Sequence, residues 1–72
     1  MNREEEKNLK NKVKEERERQ GISQEQLSNK SEVSRTIISE LENGKTDVIT
    51  NVTLEKIAKA LGKKVTDIFF TD

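Results

Sequence analysis

The 72-residue chain has no cysteine, histidine, proline, tryptophan or tyrosine. Without cysteine there is no disulfide framework, the usual staple of small secreted domains. Without cysteine or histidine the common zinc sites cannot form, and the most frequent general base is missing. No nucleophile–base pair or metal cluster can be assembled, so neither an enzyme nor a cofactor or small-molecule ligand is expected. No apolar run approaches the ~20 residues that cross a bilayer, and no signal peptide is visible. The chain is therefore read as cytoplasmic, with no membrane partner. Aromatic residues are limited to Phe69 and Phe70, so the core has to be aliphatic. With no proline and three glycines, little interrupts a helical pattern, and the fold class is all-α. One domain over residues 1–72 is expected, near the lower size limit for a self-sufficient core. Charge of one sign is also not in excess: 14 basic and 14 acidic residues cancel. Nucleic-acid-binding domains are more often basic, so any attraction for phosphate must come from where the charges sit.

What is present centres on ISQEQLSNKSEVSRTIISELENGKT, Ile22 to Thr46. Ser23 with Gln26 three residues on forms the pattern of a capping box, and Ile22 with Leu27 that of a hydrophobic staple. The device repeats: Ser34 is placed to cap a second helix, stapled by Val33 and Ile38, and Asn43-Gly44 ends it. Only Glu32 and Val33 separate the two helices, Gln24–Ser31 and Arg35–Asn43. A connection that short makes them cross sharply, as a helix-turn-helix at about residues 23–43. If Ile38 and Leu41 face the core, then Arg35, Thr36, Ser39 and Glu40 share one outer surface of a width suited to a major groove. Ile37 falls at the edge, open to the core or to a thymine methyl, with the core favoured.

The flanks follow. Met1 to Gln20 reads as one charged helix ended by Gly21, its thin inward stripe being Leu9, Val13 and Arg17. Residues 1–6 have no apolar anchor and are expected to fray. A loop from Lys45 to about Thr50 contains Asp47 and Val48. A fourth helix carries Leu54, Ile57, Ala58 and Leu61 up to Gly62, and its cap is open between Thr50 and Thr53. Thr66 is the expected cap of a short fifth helix, with Val65, Ile68 and Phe69 closing the core. Phe70 is a surplus apolar residue, either stapled onto Val65 or facing a second copy.

SQEQL, VSRTIISELENGK and LEKIAKALG resemble the Cro/phage-repressor, or XRE, family of helix-turn-helix regulators, over roughly Leu9 to Phe70. The resemblance implies a five-helix, lambda-repressor-like DNA-binding domain. It implies an ion pair of Arg17 with Glu42 of the ENG motif. It implies phosphate contacts by Gln24, Asn43 and Lys45, Gln24 also bracing the second helix of the motif. The sequence departs from the family at Ser31, where an apolar residue is usual, and at Glu32, where Gly is usual in the turn. If the turn needs a positive φ, Glu32 is disfavoured there by roughly 1 kcal/mol.

The function expected is that of a transcriptional regulator, most simply a repressor, gripping double-stranded DNA as a homodimer on a two-fold operator. Arg35, Thr36 and Glu40, with Ser39, would meet base edges. Arg suits guanine, Thr a thymine methyl or base edge, and Glu cytosine N4, unless Glu40 merely pairs with Thr36 in solvent. Lys45, Arg35 and Arg17, with Lys30 and Lys12, would border the groove and meet phosphate. The segment containing Val65, Ile68 and Phe70 is the candidate dimer interface, by the resemblance and by the extra aromatic. No effector segment is visible, so regulation would follow the protein's own concentration. Two alternatives stand beside this: an antitoxin or other protein-interaction module on the same fold, and a restriction–modification controller protein, which LEKIAKAL and RTIIS also resemble.

Overall fold

The helices begin where side chains satisfy otherwise unpaired backbone donors. In the computed structural model, which describes residues 9–45 and 49–71, the elements run β1 (Leu9–Asn11), α1 (Val13–Arg19), α2 (Gln24–Ser31), α3 (Arg35–Glu42), α4 (Asn51–Ala60), α5 (Val65–Ile68) and β2 (Phe69–Thr71). The five expected helices are present, and the architecture is that of an all-α helix-turn-helix domain with one small ribbon added. Fraying of residues 1–6, and the roles of Asp47 and Val48, fall outside the described residues.

Ser23 Oγ accepts from the Gln26 N–H at 3.0 Å, and Gln26 Oε1 accepts from the Ser23 N–H at 2.7 Å, completing the capping box of α2. Ser34 Oγ accepts from the Ile37 N–H and starts α3. Thr50 Oγ1 accepts from the Thr53 N–H, which decides the start of α4. The rival cap, Thr53, would have needed Val52 as a staple, and Val52 is 58% exposed. In α5 the expectation fails: Thr66 lies inside the helix, and the Lys64 N–H donates instead to Asp67 Oδ2 at 3.1 Å. Asp67 thus braces the first turn from its third position.

The larger correction is at the N-terminal side. Leu9–Asn11 is not helical; it pairs antiparallel with Phe69–Thr71, in the register Leu9↔Thr71, Lys10↔Phe70 and Asn11↔Phe69. The Lys12 N–H extends the pairing by donating to the Ile68 carbonyl at 2.8 Å. Asn11 Oδ1 accepts from the Val13 N–H, the first of α1, across the Lys12 cap position. Helical spacing from Leu9 to Val13 is real, but the pairing with Phe69–Thr71 is a long-range contact that spacing does not reveal.

The core is aliphatic apart from Phe69: Val13, Leu27, Val33, Ile38, Leu41, Ile57, Ala58, Leu61 and Ile68 are buried with it. Ile22, Ile49, Leu54 and Val65 pack around it half-buried. Val33, between α2 and α3, is held at both backbone groups: its N–H donates to Ser31 Oγ at 3.2 Å, and its carbonyl accepts from Ser28 Oγ at 2.7 Å. This accounts for Ser31, which is buried. An apolar residue there would leave a buried N–H without that acceptor. Glu32 has φ +62°, the left-handed conformation.

Candidate nucleic-acid interface

Helix α3 turns Ile38 and Leu41 into the core, at 0% and 1% exposure. Arg35, Thr36 and Glu40 are exposed, and Ser39 is half-buried beside them. Ile37 departs from the expectation that favoured the core: it is 39% exposed and joins the outer surface. The helix ends with the Gly44 N–H donating to the Leu41 carbonyl and the Lys45 N–H to the Glu40 carbonyl. Gly44 takes φ +87°, as this closing turn demands. Asn43 and Lys45 are thereby left exposed beside the end of the helix.

What holds this surface is a brace beneath it. Arg17 Nε donates to Glu42 Oε2 at 2.7 Å and Arg17 Nη2 to Glu42 Oε1 at 3.0 Å, a two-pronged pair. Arg17 Nη1 donates to the Ile22 carbonyl at 2.9 Å. Gln24 Nε2 reaches the same Glu42 oxygen, Oε1, at 3.0 Å. One carboxylate of α3 is thus tied to α1 and to the first residue of α2. Burial alone would raise the Glu42 carboxyl above its ordinary range, but the hydrogen bonds from Arg17 and Gln24 and the charges of Arg17 and Lys14 leave it lowered. The bond to Glu42 raises the Arg17 guanidinium in turn.

Several expected positions change. Arg17 was expected at phosphate, but its guanidinium is turned inward onto Glu42 and Ile22, and its side chain is 12% exposed. Lys12 lies by the ribbon, its Nζ 5.8 Å from the centre of the Phe70 ring. Lys30 borders a depression with Lys56, Lys59 and Glu32 between α2 and α4. Neither flanks α3. Ile68, expected in a dimer contact, is 2% exposed and belongs to the core, which leaves exposed Phe70 and half-buried Val65 at that end. Two residues of the α3 surroundings were not foreseen. Asn11 Nδ2 donates to the Leu41 carbonyl at 3.0 Å, tying β1 to the last turn of α3. Lys14 is exposed and its charge acts on Glu42. Its spacing of three from Arg17 was the available signal, since it puts both on one side of α1.

Among the described residues no group of three or more Asp, Glu, His or Cys could hold a metal ion, and no helix is long and apolar enough to cross a membrane. A sharply joined helix pair, with the second helix outward and braced from behind, defines a helix-turn-helix DNA-binding domain. A helix-turn-helix family model matches residues 13–68, and the chain belongs to that family, the XRE type of DNA-binding transcriptional regulator. The family is a regulatory one, not an enzymatic one. No curated protein matches the chain.

Proposed function

We propose that the protein is a sequence-specific regulator, most simply a cytoplasmic repressor, that binds a two-fold operator as a homodimer with α3 in the major groove. The supporting observation is the exposed run Arg35, Thr36 and Glu40 on a helix whose inner face is fully buried and whose Glu42 is clamped by Arg17 and Gln24. Base reading falls to Arg35, Thr36 and Glu40, with Ser39 at the margin. Asn43 and Lys45 hold phosphate at the end of the helix, and Gln24 holds it at the start of α2 with the N–H that Glu42 does not take. Lys14 joins them from α1. Phe70 and Val65 supply the apolar part of the dimer contact, and half-sites lie about 10 base pairs apart.

Selection of bound sites from random duplexes at fixed salt tests this. A two-fold site is expected. Arg35→Ala should relax one position of each half-site, worth about 1–3 kcal/mol. Lys45→Ala should weaken all duplexes alike and lower the salt slope by up to about one. Recovery of no preferred site would favour the protein-partner reading, which the exposed Ile37, Val52 and Phe70 support.

A further inference from the structure

On the outer surface of α3 one side chain differs in kind from its neighbours. Ile37 is aliphatic and exposed, next to Thr36 and one turn before Glu40. It borders a shallow depression of about 60 Å³ with Glu40, Leu41, Lys45, Ile49 and Thr53. Buried Leu41 and half-buried Ile49 give this depression an apolar floor, while exposed Glu40 and Lys45 form a charged rim. Water against such a floor is unfavourable unless an apolar group displaces it. The edges of bases in the major groove carry one apolar group, the methyl on C5 of a pyrimidine.

We infer that Ile37 and this depression receive the C5 methyl of one pyrimidine in each half-site, which makes Ile37 a specificity-determining residue. The inference rests on the DNA-binding reading above. Two bases carry this methyl, thymine and 5-methylcytosine, and the rim bears on both. Glu40 accepts a hydrogen bond from a cytosine N4 amino group but faces thymine O4 acceptor to acceptor.

The test is a binding titration of the full chain against its selected duplex. Each thymine is replaced in turn by deoxyuridine, and each cytosine by 5-methylcytosine, so that only a methyl group changes. If thymine supplies the methyl, deoxyuridine at one position per half-site weakens binding about fourfold, the transfer value of one buried carbon, and other positions do not respond. If 5-methylcytosine supplies it, methylation at one cytosine strengthens binding by about the same factor. In either case Ile37→Ala abolishes the dependence on that methyl while the chain still unfolds cooperatively, because the side chain is partly exposed and lies outside the buried core. Equal affinity for every methyl-altered duplex, or a methyl dependence that survives Ile37→Ala, overturns the inference and leaves the DNA-binding reading standing. A chain that selects no duplex overturns both.

Discussion

The two sides of α1 solve the same problem differently. On one side Arg17 meets Glu42, with the two side chains 12% and 4% exposed. On the other, Glu16 is buried at 11% side-chain exposure but meets Arg19 at 3.0 Å and Lys63 at 4.0 Å, whose side chains are 73% and 38% exposed. Gln20 joins this second cluster, donating to Glu16 Oε2 and to the Leu61 carbonyl. The first cluster ties α3 to the two helices before it; the second ties α1 to the turn after α4. The lesson concerns the partner. A buried carboxylate whose cation is also buried has no water to fall back on when that cation is lost, whereas one with exposed cations does.

The largest effect should come from removing the inward cation. Arg17→Ala leaves Glu42 buried without its charge partner and should cost about 3–5 kcal/mol in urea unfolding. A loss no greater than that of a surface substitution would erase the distinction between the two sides. Replacing both partners, Arg17→Met with Glu42→Leu, should cost much less than Arg17→Ala alone, because no orphan charge remains. A loss equal to that of Arg17→Ala would mean that shape, not charge, is what the brace supplies.

Acid sharpens the comparison without mutation. Both carboxyls lie below the ordinary value of 4.5 in the folded protein: Glu16 through the Gln20 hydrogen bond first and Arg19 after it, with burial opposing, and Glu42 through Arg17 and Gln24 against burial. The folded state therefore binds fewer protons than the unfolded chain. Stability is fully present above about pH 4.5 and falls as pH drops through the lowered folded-state values. Unfolding midpoints measured from pH 7 to pH 3 should follow this course, and Glu42→Gln should flatten it. Stability that rises on acidification would contradict the assignment.

A smaller effect, and of opposite sign, belongs to the turn between α2 and α3. Glu32→Gly should stabilise by roughly 1 kcal/mol, since the residue is held at φ +62°. An unchanged or lower melting temperature would mean that the Val33 hydrogen bonds to Ser28 and Ser31 already absorb the cost. The smallest change is expected on the exposed side. Glu16→Gln should lower the melting temperature by less than Arg17→Ala, because Arg19 and Lys63 return to water.

Local chemistry made much of the fold legible. The Ser23–Gln26 box, the Ser34 cap and the glycine-ended helices use partners within a few residues, so spacing alone exposes them. Where local chemistry offered two answers, as at Thr50 and Thr53, it could not choose, because the choice lay in which staple residue finds a buried neighbour. Thr66 was misread for a related reason: the Lys64 backbone and the Asp67 side chain made the cap without it. The join of Arg17 to Glu42, 25 residues apart, was suggested by family resemblance and by no feature of spacing. The stripe spacing placed Arg17 inward; what it did not show was that Glu42 and the Ile22 carbonyl together engage three of its guanidinium nitrogens. Ile37 was misassigned because a residue at the edge of an amphipathic helix is sorted by the space beneath it, not by its own hydrophobicity.

By itself the sequence determined where α2 and α3 begin and end, that α4 stops before Gly62, and that Ile38 and Leu41 turn inward, because caps and helical periodicity act over a single turn. Tertiary structure alone decided that Leu9–Asn11 becomes a strand, that Ile37 and Phe70 face outward, and that α3 is clamped through Glu42. Each of those outcomes depends on what a distant segment places alongside: a backbone to pair with, the packing beside α3, a largely buried guanidinium.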